Sequence, residues 1–440
     1  MKAISLFSNC GAGDIGYSQA GFDFRVMAEL DPDRLAVALA NHPAATGIPG
    51  DLRKTWPDAV AAWRSLEGSE RPDLLAACPP CQGMSSARSG LGSHKDLEAG
   101  GRDPRNLLVT VIESVARELR PRAIVVENVP AFLTRQVPNP LDGTPISAAR
   151  LLIEALRDEY KVFAMVADLA DWGVPQTRKR AFLTLIRRNE KAERPGSTPF
   201  PAPTHGGARP RVSITEALGQ LGASVLDARD PGAASDPGNP MHFVPVWTEQ
   251  RYMMVEAIAP NSGKGAWEND VCPRCGATSH DRDAALCARC DTPLLRPVVR
   301  DGNGWRLIKG FRNSSYSRMR ADMPAATITT ASGRVGSDKT IHPWENRLLS
   351  PYECAYLQTL PADFRWGDAL ERWGHTRVRE MIGEAVPPRF TRLHGQAIRA
   401  FLGAADSDEI DLLDDEEKRV RRAHQLIDVS DQNGQAKEDL

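Results

Sequence analysis

Ala3-Ile4-Ser5-Leu6-Phe7 is a short apolar strand that passes directly into the turn Asn9-Cys10-Gly11-Ala12-Gly13-Asp14, then into a helix ending near Gly21. A strand that feeds a glycine-rich turn and a helix commits the chain to layered α/β architecture, because the helix must bury its apolar face against a sheet. The pattern recurs. Arg25-Val26-Met27-Ala28 ends in Glu29, Pro32 to Asn41 reads as a helix, and residues 73–77, 122–126, 161–167 and 181–187 read as further strands. Arg105 to Leu119 carries Leu108, Ile112, Val115 and Leu119 at helical spacing. The expectation is an α/β fold, a doubly wound sheet with helices on both faces, its last two strands antiparallel at the edge.

The chain of 440 residues exceeds one ordinary core. Residues 189–240 are rich in Pro, Gly and Ala with weak periodicity, and patterning returns near Ala325-Ala326-Thr327-Ile328. Helices are expected near 351–359 and 388–402. The expected division is a first domain over 1–188, a smaller irregular domain over 189–318, and a return to the first domain over 319–403. A tail, 404–440, is expected to be disordered or helical. No apolar stretch is long enough for a bilayer span and no basic-apolar leader is visible, so the expectation is a cytoplasmic protein without membrane partners.

The net charge of −2 hides an asymmetry, because the tail holds 12 acidic against 5 basic residues. From Arg296 to Arg320 there are 7 basic residues and one acid, Asp301, interleaved with Trp305, Phe311 and Tyr316. Basic residues track phosphates and aromatics stack on bases, so this segment is a candidate nucleic-acid surface, with Arg306, Lys309 and Arg312 as its contacts. A solvated charged loop is the alternative.

Leu74-Leu75-Ala76-Ala77-Cys78-Pro79-Pro80-Cys81-Gln82-Gly83 is an apolar strand stopped by two prolines. Proline lacks an N–H and fixes φ, so the pair ends the strand and presents Cys81 at the carboxyl edge of the sheet, where open α/β folds bind ligands. Glu127 ends the apolar strand Ile124-Val125-Val126, where a carboxylate is costly to bury without a partner; if desolvated it can donate a proton near neutral pH. Its alternative is a turn cap. Arg178 and Arg180 alternate into a strand and can clamp a carboxylate or carbonyl. Glu29 is placed for a ribose diol and Asp51 for an adenine amino group, each with a solvated acid or helix cap as the alternative. Cys272-Pro273-Arg274-Cys275 and Cys287-Ala288-Arg289-Cys290, eleven residues apart, give four thiolates in reach of a structural Zn²⁺ in a ribbon over 270–292.

Together these elements resemble the DNA cytosine-5 methyltransferase family. Leu6 to Gly11 through Ala20-Gly21-Phe22, then Glu29, Asp51, Pro79-Pro80-Cys81-Gln82, Glu127-Asn128-Val129 and Gln176 to Arg180 follow the family's motif order. Asn346 to Pro351 through Leu357-Gln358-Thr359-Leu360-Pro361, and Ile382-Gly383-Glu384-Ala385-Val386-Pro387-Pro388, match its last two motifs. The likeness covers roughly 1–188 and 319–403. Asn9 and Ala12 replace usual glycines, Ser5 stands where an aspartate is common, and Glu384 replaces an asparagine, which puts a second carboxylate near the cofactor.

The resemblance implies a Rossmann-like methyltransferase that moves a methyl group from S-adenosylmethionine to C5 of a cytosine flipped out of double-stranded DNA. It implies Cys81 as nucleophile, Glu127 at N3 of the base, and Arg180 with Arg178 behind it at the base carbonyl. Cofactor contacts fall to Phe7, Asn9, Gly11, Gly13, Glu29, Asp51, Pro79, Leu107, Glu384 and Val386, and DNA contacts to Gln82 and Ser85. The insertion stands where the family carries its target recognition domain. The implied setting is restriction-modification or phage defence, with partner proteins from such a system. An RNA (tRNA) cytosine-5 methyltransferase and a catalytically weak DNA-binding subunit are the rival readings.

Overall fold

The computed structural model describes residues 1–80, 103–190, 196–312, 314–337, 339–404 and 410–435. The first half runs β1 (Lys2–Leu6), α1 (Ala12–Gln19), β2 (Asp23–Glu29), α2 (Pro32–Asn41), β3 (Thr46–Pro49), α3 (Leu52–Glu67), β4 (Leu74–Ala77), α4 (Val109–Leu119) and β5 (Ala123–Asn128). A small hairpin, β6 (Gln136–Pro138) with β7 (Pro145–Ser147), leads to α5 (Ala148–Leu156), β8 (Tyr160–Asp168) and β9 (Lys179–Arg187). Seven strands form one sheet in the order β3-β2-β1-β4-β5-β9-β8. β1 to β5 pair in parallel, and β9 runs antiparallel to both β5 and β8. The doubly wound sheet is as expected, with the antiparallel pair at its edge and β8 outermost.

Every residue of β4 and β5 is buried, the signature of strands covered on both faces. Trp63 of α3, Ile112 and Val115 of α4 and Leu152 of α5 cover one face. Tyr17 of α1 covers the other with Phe390 and Ile398 of α10 (Pro388–Phe401). α1 and α10 approach closely because Gly16 is bare: a Cβ there would stand 2.0 Å from Thr391 Oγ1, which instead donates to the Gly13 carbonyl at 2.7 Å.

After β9 the chain runs through β10 (Ser197–Pro201), α6 (Ile214–Leu221), β11 (Ser235–Asp236), β12 (Asn239–Phe243) and α7 (Glu249–Glu256). The hairpin β13 (Val298–Asp301) and β14 (Gly304–Leu307) follows, then α8 (Pro351–Leu357), α9 (Ala369–Glu384) and α10. Leu226, Trp247, Tyr252 and Val255 pack with Val335, Ile341 and Leu348 into a separate cluster. Arg318, fully buried, holds that cluster together by donating to the carbonyls of Val255, His342 and Glu345 and to Asn346 Oδ1.

The tail takes the helical alternative. β15 (Leu412–Asp414) pairs with β10, and α11 (Lys418–Gln435) packs on β8 with Val420, Ala423 and Ile427 buried. Helical spacing of those three apolar residues outweighs the acidic composition.

α8 carries a buried ion pair. Glu353 accepts two bonds from Arg347, at 2.7 and 2.8 Å, and one from the Ser350 N–H at 2.8 Å. Burial pushes the Glu353 carboxyl up, but Arg347 outweighs it and holds it at about 2. A depressed carboxyl contributes stability above its unfolded value of 4.5 that is lost as pH falls toward 2. Glu353→Gln leaves the buried Arg347 guanidinium with Glu345 as its one remaining carboxylate among the described residues, so urea unfolding should show a loss of up to about 3–5 kcal/mol. The difference from wild type should be constant from about pH 8 to 5 and shrink below the unfolded carboxyl range; no dependence on pH would remove the pair from the stability of α8.

Candidate active site and metal centre

The carboxyl ends of β1, β4 and β5 meet around a cavity lined among others by Phe7, Asn9, Asp14, Cys78, Glu127 and Glu384. The turn after β1 makes it accessible. Phe7, Asn9 and Gly11 adopt φ of 58°, 47° and 73°. Asparagine tolerates this region, whereas at Gly11 a Cβ would also press to 3.0 Å from His42 Cδ2. Asn9 therefore does not break the turn. Its N–H donates to Glu29 Oε2 at 2.8 Å and its Nδ2 to the Met381 carbonyl at 3.0 Å. Its Oδ1 is buried without a partner among the described residues, beside the cavity. Glu29 is buried, which raises its pKa, and the Asn9 N–H partly offsets this. Glu384 lines the cavity in an ion pair with Arg34, so a second carboxylate stands there as the departures suggested.

Glu127 is held from two sides. Cys78 Sγ donates to its Oε2 at 2.7 Å, and Arg180 Nε lies 2.7 Å from its Oε1 as an ion pair. The Arg180 N–H is not aligned on that oxygen, which has no hydrogen bond among the described residues. Asn128 Nδ2 donates to the Pro79 carbonyl at 3.1 Å, and the Cys78 N–H to the Leu6 carbonyl at 3.3 Å. β1 and β5 thus fix the two residues that lead into Pro80 and Cys81. Cys81, Gln82 and Ser85 lie outside the described residues.

Sequence reading missed Asp14 and Cys78. Asp14 faces the cavity from the first turn of α1, accepts from Ser5 Oγ at 3.0 Å, and is raised by burial to about 7. Its signal was a lone acid immediately after the glycine turn. Cys78 stood in plain view within the run around Cys81, but its thiol reaches Glu127 only through the pairing of β4 with β5.

Other expectations are corrected. Arg178 is fully buried and donates to the carbonyls of Ile328, Gly383 and Ala385, so it staples the two halves of the chain instead of facing a base. Asp51 takes its alternative role: it caps α3 through the Arg53 N–H at 3.0 Å and pairs with the Arg53 guanidinium. Gly13 and Val386 line the cavity with Phe7, whereas Gly11 backs onto α2 and Leu107 packs at the margin of the core under α4. The basic segment is less free than its composition implied. Arg296 is buried against the carbonyls of Asn269, Asp281 and Ala284, Arg318 is internal, and Arg306 pairs with Asp301 at 2.6 Å. Lys309 is exposed and Arg312 half-buried.

The four ribbon cysteines converge. Their sulfurs lie within 4.8 Å of one another, with Cys272–Cys290 and Cys275–Cys287 at 3.6 Å and Cys275–Cys290 at 3.5 Å. A tetrahedral site with bonds of about 2.3 Å has edges of about 3.8 Å, so the donor set fits Zn²⁺. Both knuckles close alike: Cys272 N–H bonds the Ala277 carbonyl and Cys287 N–H the Thr292 carbonyl, with Gly276 and Asp291 at positive φ. His280 is occupied by Asp270 and is not needed as a ligand. Leu294 is the main apolar residue packed with them.

A doubly wound sheet with a glycine turn and the buried carboxylates of Glu29 and Glu127 at its carboxyl edge defines a nucleotide-binding α/β class. Within it the chain belongs to the C-5 cytosine-specific DNA methylase family, whose profile matches residues 1–399. It is 29% identical over 397 residues to the Type II methyltransferase M1.HgaI of Avibacterium volantium, covering 88% of this chain and 95% of that one. It is 25% identical over 454 residues to the Type II methyltransferase M.AgeI of Thalassovita gelatinovora, covering 91% and 100%. The fold is also that of an E. coli prophage protein described as a DNA modification methyltransferase, at TM-score 0.56 and 18% identity, covering 92% and 99%. The protein is a DNA cytosine-5 methyltransferase. Among the described residues no helix is long and apolar enough to cross a membrane.

Proposed function

We propose that Cys81, Glu127 and Arg180 act on a cytosine flipped from duplex DNA, in the cavity where Asn9, Glu29 and Glu384 hold S-adenosylmethionine. The observation that carries this reading is the placement of Glu127. It sits between the Cys78–Pro79 segment and Arg180, at the cavity, with one oxygen lacking a hydrogen-bond donor among the described residues. The buried, unpartnered Asn9 Oδ1 and the bare turn before α1 favour a ligand with N–H or O–H donors.

C5 of cytosine is a poor nucleophile. Addition of the Cys81 thiolate at C6 makes C5 an enamine carbon able to attack an electrophilic methyl. S-adenosylmethionine supplies that methyl group. Glu127 hydrogen-bonds or protonates N3 and so stabilises the charge that develops during addition. Arg180 keeps Glu127 in place and reaches the base carbonyl. Loss of the C5 proton then expels Cys81. Tritiated methyl transfer to duplex DNA and to tRNA tests this reading: incorporation into DNA at cytosine supports it, and incorporation into tRNA alone overturns it. The relatives named Type II methyltransferases support a place in restriction-modification or a related defence system. Bisulfite sequencing of expressing cells would read the marked sequence.

The ribbon is proposed as a structural zinc site. Its polar segment 276–286 supplies little apolar burial, so the metal organises it and folding there is coupled to binding. Elemental analysis should find one equivalent of zinc. Cys272→Ser with Cys290→Ser should lose the zinc and weaken DNA binding while S-adenosylmethionine still binds. Less than half an equivalent in untreated protein counts against the site.

A further inference from the structure

Most surface arginines of this chain are paired with carboxylates, but one cluster is not. Arg209, in the loop after β10, and Arg389 and Arg392, one turn apart on α10, hold no ion pair among the described residues. Of the acids in this region, Asp171 is already used and Glu216 forms no ion pair with the cluster among the described residues. Asp171 pairs with Arg211 and Arg419, both at 2.7 Å. Beneath the arginines lies His205, 4% exposed. The carbonyl of Asp171 fixes its backbone by accepting from the Thr204 and His205 N–H groups at 3.0 and 2.9 Å, and its Nδ1 is bonded to Thr204 Oγ1 at 2.8 Å. Its Nε2 is buried without a partner among the described residues. His205 and Arg389 lean on the same bare glycine: a Cβ at Gly173 would stand 2.6 Å from His205 Cε1 and 2.9 Å from Arg389 Nε.

We infer that Arg209, Arg389, Arg392 and the Nε2 of His205 form an anion site that takes a backbone phosphate of the DNA substrate. Glu216 is the one carboxylate felt by Arg389 and His205, and it forms no ion pair with the cluster among the described residues; three guanidiniums against one such carboxylate repel one another unless a further anion joins them. The titration of two members agrees. Burial and then Arg209 and Arg392 lower the pKa of Arg389, and burial and then Arg209 and Arg389 lower that of His205, with Glu216 opposing more weakly in both cases. The place also suits the substrate. Gly173 directly follows the short turn Leu169–Trp172 at the carboxyl end of β8, the edge strand beside β9. Glu127 is on β5, the next strand after β9, so the cluster lies along the same sheet edge about two strand spacings, ~10 Å, from it. A phosphate held there is one that flanks the flipped nucleotide.

The inference rests on duplex DNA being the substrate, which methyl transfer by the wild-type protein tests separately. DNA affinity of the full chain should be measured by anisotropy across a salt series. Each phosphate contact contributes about 0.9 to the slope of log K against log salt, so R209Q/R389Q/R392Q should flatten it by up to about 2.7. Binding of S-adenosylmethionine should be unchanged. If the triple variant fails to fold, R209Q/R392Q removes only exposed side chains and should flatten the slope by up to about 1.8. An unchanged slope in a folded variant overturns the site.

Discussion

Cys81→Ser abolishes methyl transfer while DNA and S-adenosylmethionine still bind, because a serine hydroxyl is a far weaker nucleophile at neutral pH. Pro79 and Cys78, which lead into Cys81, are tied by backbone and side-chain bonds to β5 and β1 and do not depend on the thiol of residue 81. Wild-type protein should form a covalent adduct with DNA carrying 5-fluorocytosine, since fluorine cannot leave as a proton does. Gel mobility under denaturing conditions reads the adduct. Adduct formation by the serine variant at the wild-type rate would remove Cys81 from the chemistry.

Glu127→Gln slows turnover by about 10²–10⁴-fold without stopping it. The amide can still hydrogen-bond the ring but cannot deliver a proton at comparable cost. It also keeps an oxygen to accept from Cys78 and loses the charge that holds Arg180 at 2.7 Å. Single-turnover kinetics on a hemimethylated duplex should place the loss in the chemical step, with DNA affinity nearly unchanged. A wild-type rate would leave Glu127 as a turn residue only.

Much of this site was legible because it is local. Glu29, Cys81 and Glu127 each follow a short apolar run, and a strand's end can be read from the residues that form it. The Cys-x-x-Cys pairs were equally plain, since knuckle geometry is set within five residues. What misled were charges. Arg178 and Arg180 look alike in sequence, two positions apart, yet one is sealed beneath the carbonyls of Gly383 and Ala385 and the other meets Glu127. Arg296 and Arg318 swelled a basic segment that in space is partly interior. The tail disguised its apolar stripe in the same way.

Most of the sheet's strands, the glycine turn, the Pro-Pro-Cys run and the four clustering cysteines were determined by the sequence alone, because each depends on backbone preferences and side-chain types over a few residues. Tertiary structure decided which charges are used and which are spare. Asp51 became a cap, Cys78 became a partner of Glu127, and Arg209, Arg389 and Arg392 were left together without an ion pair among the described residues. Those outcomes depend on which distant groups share a few ångströms of low-dielectric space, where pairing and desolvation energies are large, and a linear pattern does not contain those distances.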